Sequence, residues 1–230
     1  MKTIGLIGGM SWESTAEYYR IINEEIKQRL GGYHSAKCIL YSVDFAEIEK
    51  CQTNGEWEKM GEILAKAARS LEAAGADFII LGTNTMHNVA DQIKLEINIP
   101  FLHIADMTAR EVLADGIKTI GLLGTRYTME QDFYKSRLES QGIRVIIPQE
   151  TDRVIVNSVI YNELCLGQII DQSRAGFKRI ITDLAAQGAE GIILGCTEIG
   201  LLVKQEDSRV PLFDTTVIHA RSAVDYALTV

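Results

Sequence analysis

Residues Gly195-Cys196-Thr197-Glu198 place a thiol, a hydroxyl and a carboxylate in succession directly after the apolar run Ile192-Ile193-Leu194. A run of that kind suits a strand covered on both faces, and the glycine lets the backbone turn sharply beneath the cysteine. The pattern predicts strand, turn and helix, with Cys196 at the helix N-terminus. Unsatisfied N–H groups and the helix dipole there favour a thiolate, so the thiol should be more acidic than a free cysteine and usable as a base or nucleophile. The plainer alternative is a small buried hydrophobe.

The chain says nearly the same thing twice. GADFIILGTNTMH, residues 75–87, aligns without gaps on GAEGIILGCTEIG, residues 188–200, and sets Thr83 opposite Cys196. KTIGLIGGM at 2–10 matches KTIGLLGTR at 118–126, which sets Thr125 opposite Gly9, and PFLHIAD at 100 matches PLFDTTV at 211. Three matches at nearly one spacing imply two copies of a unit of roughly 115 residues, a sensible domain size. Copies of this kind can face each other across a cleft, with Thr83 and Cys196 as the equivalent turns that meet a bound molecule.

A chain of 230 residues with 47% hydrophobic and 23% charged residues can bury a full core. A formal charge of −8 without a cluster of Lys and Arg argues against a nucleic-acid surface and for small-molecule chemistry. Cys38, Cys51, Cys165 and Cys196 lack metal-ligand spacing and read as reduced thiols of a cytoplasmic protein, with no zinc site expected. The start does not read as a signal peptide, and no run is long enough to span a bilayer.

The elements that must position these residues follow from periodicity. Ile4 to Ile7 predict the first strand, Gly8-Gly9 its turn, and Tyr19, Ile22, Ile26 and Leu30 a helix stopped by Gly31-Gly32. The turn, with Ser11 and Thr15, could offer backbone N–H groups to a carboxylate or be a plain tight turn. Residues 36–43 read as the second strand, with Cys38 in the core, and DFAEIEKCQTNG as a loop. That loop carries Gln52 past the carboxyl end of the strand, where open α/β sheets keep ligands, or simply into solvent. Met60, Ile63, Ala67 and Leu71 mark a helix before strand Phe78 to Leu81. Asn84 and Thr85 are site residues or N-caps, and His87 is a site or structural histidine. The second half repeats the order: strand 118–123, a turn and a helix with a capping box from Thr128 to Gln131. Strand Arg144 to Ile147 follows, then helices at 152–166, containing Cys165, and at 171–187. Strand Pro211 to Asp214 and a final helix close the chain. The fold class is α/β, two pseudo-symmetric domains, each a roughly four-stranded parallel sheet flanked by helices, with the active site expected in the cleft between them. The expected domains are 1–104 with about 215–230, and 105–214.

With these motifs the chain resembles the aspartate/glutamate racemase family of cofactor-independent enzymes over essentially its whole length. That family offers one cysteine in a Cys-Asn-Thr turn and another in a Gly-Cys-Thr turn, on opposite faces of the substrate. Asn84-Thr85 and His87 match the first motif, with Thr83 where its cysteine should stand, and Gly195-Cys196-Thr197-Glu198 match the second. Glu198 is similar to the aspartate-racemase side of the family, whose glutamate-racemase side carries a histidine after Cys-Thr. Family lysine and arginine positions for a second carboxylate are occupied otherwise: Cys165 stands in what looks like the lysine's place, after Ile160-Tyr161-Asn162-Glu163-Leu164, and no arginine stands near Gln52.

The resemblance implies Cys196 as the base toward an L-amino acid and Thr83 on the opposite face. Removing Hα without pyridoxal phosphate makes a very basic carbanion, so donors must surround the carboxylate. Met10, Ser11, Gln52, Asn84, Thr85, Thr125, Thr197 and Glu198 are the candidate substrate-binding residues, and His87 or Glu198 could orient the acid–base groups. The expected function is a racemase for L-aspartate or L-glutamate with no cofactor and no metal. Its expected partners are the amino-acid substrate and a second copy in a homodimer, with no nucleic acid and no membrane. Two alternatives stay open: a one-cysteine carbanion enzyme of the same superfamily, such as a malonate-type decarboxylase, and a non-catalytic amino-acid-binding protein.

Overall fold

The structure is a computed structural model that describes residues 1–229. Contacts divide the chain into two units, Met1–Ile104 with the chain from His219 onward, and Ala105–Ile218.

The first unit begins with β1 (Ile4–Gly8), buried along its whole length. The helix α1 (Trp12–Leu30) starts at Ser11, whose hydroxyl accepts from the Ser14 N–H, and ends at Gly31. Its buried stripe is Tyr18, Ile21, Ile22 and Ile26, while Tyr19 and Leu30 are exposed, so the apolar face starts one residue before the expected one and ends a turn earlier, at Ile26. Next come β2 (Cys38–Ser42), α2 (Phe45–Thr53) and α3 (Trp57–Ala73). The segment read as a loop is therefore largely the helix α2. Asp44 caps it by accepting from the Ala46 N–H, and Ile48, Cys51 and Gln52 make its buried face. Cys38 is half-buried on its strand rather than in the core.

The strand β3 (Phe78–Leu81) is fully buried and leads through a 3₁₀ turn (Thr85–Val89) into α4 (Ala90–Lys94). The proline-led segment that follows, matched in sequence to the strand from Pro211, forms only a short strand: β4 spans Phe101–Leu102, and α5 (Ile104–Ala114) begins two residues later. All pairs are parallel, in the order β2-β1-β3-β4.

In the second unit β5 (Thr119–Gly124) runs into α6 (Arg126–Glu130) and α7 (Asp132–Glu139), then β6 (Arg144–Ile146) and α8 (Glu150–Asn162). A separate 3₁₀ turn, Leu164–Leu166, holds Cys165, which is thus outside the helix expected to contain it. After α9 (Asp171–Ala186) come β7 (Gly191–Gly195), α10 (Ile199–Leu202), β8 (Leu212–Asp214) and α11 (Thr215–Leu228), of which the part from His219 onward belongs to the first unit. These strands are also all parallel, in the order β6-β5-β7-β8. Strand for strand this is the order of the first sheet, so the repeated sequence corresponds to a repeated topology. Parallel sheets need helical crossovers that cover both faces, which explains why β1, β3 and β7 are buried throughout.

Candidate active site

In each unit the candidate residues leave the sheet at the carboxyl ends of its two central strands. In the first, β1 and β3 pair as far as Ile7 with Leu81, and the Gly82 N–H donates to the Ile7 carbonyl at 2.8 Å. The Gly9 to Ser11 turn and the Thr83 to Thr85 turn are therefore neighbours. Met10, Cys51 and Met86 pack in one apolar cluster, which brings α2, and Gln52 on it, to the same edge. Met10, Ser11, Gln52, Thr83, Asn84 and Thr85 are all buried there.

The local bonds show what each residue is committed to. The Thr15 hydroxyl accepts from the Gly9 N–H at 2.8 Å and donates to the Ser11 carbonyl at 2.7 Å, so this glycine N–H is spent inside the turn rather than offered to a carboxylate. Asn84 stands at the cap position of the 3₁₀ turn without a side-chain capping bond, so the N-cap alternative does not describe it. His87 Nδ1 lies 2.7 Å from the Thr83 carbonyl, and the Ile104 N–H donates to Nε2 at 3.2 Å. An N–H donor fixes Nε2 as the acceptor, so Nδ1 carries the proton and donates to Thr83. His87 is thus a neutral clamp on the backbone of Thr83.

Beneath this turn His87 lies edge-on to His103 and to His219, with ring centroids 4.4 and 6.0 Å apart. His219 Nε2 donates to the Leu102 carbonyl at 2.9 Å, and Nδ1 accepts from the Tyr18 hydroxyl at 2.9 Å. Complete burial lowers the His219 pKa to about 4, so this ring too is neutral.

In the second unit Gly124 and Gly195 are paired in register, so Thr125 and Cys196 leave the sheet side by side. A Cβ on Gly195 would meet the Leu123 carbonyl at 2.8 Å and Leu122 at 2.9 Å, and one on Gly124 would meet the Gly195 carbonyl at 2.8 Å. Only glycines permit this approach. Thr125 is the N-cap of α6 and accepts from the Thr128 N–H, which replaces the capping box expected from Thr128 to Gln131; Gln131 stands at the other end of that helix. Thr125 therefore plays the part of Ser11 rather than of Gly9, because the first unit inserts two more residues between strand and cap.

Cys196 precedes α10, which has four residues and no side-chain cap. The expected acidic thiol is not found. Burial pushes the Cys196 thiol well above its usual range, and the Glu198 carboxylate adds to the shift, outweighing a Glu198 backbone N–H that acts the other way. The thiol donates to Glu198 Oε2 at 3.0 Å, and the Thr197 hydroxyl donates to the same oxygen at 2.9 Å. All three residues are buried. A helix too short to carry much dipole cannot offset that desolvation. Thr215 donates to the Leu194 carbonyl at 2.8 Å and Thr216 to the Thr197 carbonyl at 3.3 Å, fixing the strand before and the turn after the thiol.

Of these supporting threonines, Thr215 and Thr216 have no role in the sequence reading, while Thr15 enters it only as part of the Gly8-Gly9 turn and Thr128 only as one end of a capping box. Their signal was present as threonines near each strand end, but threonine spacing alone does not distinguish a turn brace from a surface residue. Among the described residues no group of three or more His, Cys, Asp or Glu is placed to hold a metal ion, and no helix is long and apolar enough to cross a membrane.

Residues 7–223 match the family model of the Asp/Glu/Hydantoin racemases. The chain is 24% identical to the broad specificity amino-acid racemase RacX of Bacillus subtilis (strain 168), over 96% of each chain. It is similar to a protein of Yersinia pestis solved as a candidate Asp/Glu racemase, with 59% identity, TM-score 0.93 and full coverage of both chains. An aspartate racemase homologue from Pyrococcus horikoshii OT3 is 38% identical, with TM-score 0.85, again over the whole of both. With a family match over nearly its whole length and that doubled parallel fold, the chain belongs to the Asp/Glu/Hydantoin racemase family and is an amino-acid racemase, an isomerase.

Proposed function

We propose that the protein racemises L-aspartate and L-glutamate without a cofactor, with Cys196 as the base on one face of the α-carbon and Thr83 serving the other. The observation that carries this reading is the buried bond from the Cys196 thiol to Glu198. A thiol that donates to a carboxylate has an acceptor for its proton, which is what conversion to a thiolate base requires. The bound substrate supplies the remaining push. An α-ammonium about 5 Å from the sulfur contributes roughly 3 kcal/mol at an effective dielectric of 20, about two pH units in favour of the thiolate. This acts against the burial and the Glu198 charge that raise the thiol pKa in the free protein.

The thiolate takes Hα, and the electron pair left on the carbon delocalises into the α-carboxylate. That developing charge is met by hydroxyl and amide donors, for which Thr85 and Thr125 are the side chains, Met10, Ser11 and Thr197 the backbone, and Asn84 and Gln52 the carboxamides. Proton return on the opposite face passes through the Thr83 hydroxyl, relayed from water, and inverts the centre. His87 positions Thr83 by holding its carbonyl.

A protonated thiol also suits an enzyme that delivers a proton to a carbanion formed by loss of carbon dioxide, which is the second reading. Proton NMR in deuterium oxide separates the two. L-Aspartate and L-glutamate should lose their α-hydrogen signal with wild-type protein, and Cys196→Ser should slow this by two to four powers of ten. Decarboxylation of a substituted malonate without amino-acid exchange would support the second reading. Amino-acid binding without either reaction would leave only a binding protein.

A further inference from the structure

The racemase reading leaves the side-chain carboxylate of a dicarboxylic substrate without a cation. We infer that Arg126 supplies it: the guanidinium at the head of α6 pairs with the distal carboxylate of the amino acid and sets the preference for dicarboxylic over neutral side chains. This inference rests on the racemase reading for the location of the substrate.

The placement follows from strand register within the second unit. Gly124 and Gly195 are paired, and adjacent strands are about 4.8 Å apart, so Thr125 stands beside Cys196 and Arg126 is one residue further along the same turn. The backbone of Arg126 is fixed, because its N–H donates to Asn157 Oδ1 on α8 at 2.9 Å. Its side chain is exposed and already held in place: the guanidinium lies 4.7 Å from the centre of the Tyr127 ring and donates from Nη2 to the Tyr127 hydroxyl at 2.8 Å. A guanidinium has five donors in a planar fork, so one edge supported by a phenol leaves another for bidentate pairing with a carboxylate.

Arg126 lines a cleft of about 440 Å³ together with Tyr161, Asn157, Glu130, Arg153 and Glu150. Tyr161 also packs against the apolar cluster of the second unit, of which Cys196 is a member. Glu130 is engaged by Arg153 at 2.7 Å. Glu150 lies in the first turn of α8. Tyr127 leads the groups that raise the Arg126 pKa, with Tyr161 and then Glu130 behind it, so the carboxylate of Glu130 is the weakest of these partners.

The test is calorimetric binding of L-glutamate and L-glutamine to wild type, Arg126→Gln and Arg126→Lys, with α-hydrogen exchange of both amino acids followed separately. Wild type should bind glutamate more tightly than glutamine. Arg126→Gln should weaken glutamate about tenfold or more and glutamine less than threefold, with Arg126→Lys between the two. Equal losses for both ligands, no loss for either, or no wild-type preference would overturn the inference. The thermal melt of each variant guards against misfolding, and Arg126→Lys, which keeps the charge and stem, carries the comparison if Arg126→Gln is unstable. A binding preference that depends on Arg126 without any exchange would remove the racemase reading and leave this role standing. Exchange without such a preference would do the reverse, and binding of neither amino acid would remove both.

Discussion

Cys196 stood out in the sequence as the candidate reactive residue because its thiol ends an apolar run and follows a glycine ahead of a helix-forming stretch. Its protonation state was not legible. The sequence shows a cysteine ahead of a helix-forming stretch; the structure shows that stretch reduced to four residues and the thiol facing a buried carboxylate. Desolvation and a like charge both oppose the thiolate, and neither can be read from spacing. The negative charge of Glu198 raises the thiol pKa, so Glu198→Gln should lower it and thiolate should form at a lower pH. The pH dependence of alkylation of Cys196 by a small reagent measures this. A midpoint that stays put or rises in Glu198→Gln would remove Glu198 as a cause. His87, open between site and structural roles in the sequence, holds backbone with both ring nitrogens, the Thr83 carbonyl of the adjoining turn and the Ile104 N–H at the start of α5.

At the scale of elements, long periodic segments were readable and short ones were not. The helices α1, α3, α8 and α9 have repeating apolar stripes. The nine-residue α2 does not stand out, because Asn54-Gly55 after it reads as a turn and its three buried residues are one short stripe. β4 fails for the opposite reason: a proline and three apolar residues promise a strand, but only Phe101 and Leu102 pair with β3. The turns that carry the candidate site depend on glycines that a substitution can probe. Gly9 has φ +94°, and a Cβ there would collide with the Val43 carbonyl; Gly116 also has positive φ, at +75°, but a Cβ there meets nothing within 4 Å. Gly116→Ala should therefore cost about 1–2 kcal/mol of backbone strain alone. Gly9→Ala adds a steric term of about 1–3 kcal/mol and should also impair activity, because Met10 and Ser11 follow it. Chemical denaturation of both variants checks the order, and equal losses would show that the close approach to Val43 is not sustained in solution.

For the whole molecule the repeat was the most informative sequence signal, since similar offsets over three motifs correspond to two sheets of one strand order. What the repeat hid is where the two copies diverge: Ser11 and Thr125 cap their helices at different distances from their strands, and the histidine cluster exists in the first unit alone among the described residues. That cluster predicts an acid limit. His219 has an ordinary pKa of 6.5 when unfolded and about 4 when folded, so below pH 6.5 the unfolded chain binds a proton that the native state refuses. The stabilisation is present above pH 6.5 and is lost as pH falls toward 4, about 3 kcal/mol in all. Urea unfolding of wild type and His219→Gln between pH 7 and 4 should show a flatter pH slope in the variant, and identical slopes would contradict it.

The central claim is that one thiol and one hydroxyl divide the two faces of the substrate. A threonine hydroxyl is a far weaker acid than a thiol, so it cannot wait as an anion to take Hα from a D-amino acid, although it can pass a proton to a carbanion. Free enantiomers must still reach an equilibrium of unity, and the asymmetry therefore lies in individual rate and binding constants. Initial rates of α-hydrogen exchange from L- and D-glutamate in deuterium oxide, in wild type and Thr83→Cys, measure it directly. Wild type should exchange the L-enantiomer at least about tenfold faster, and Thr83→Cys should raise the D-side rate by more than the L-side rate, about tenfold for one better-matched acid–base group. Equal L and D rates in wild type, or no D-side gain in Thr83→Cys, would contradict it.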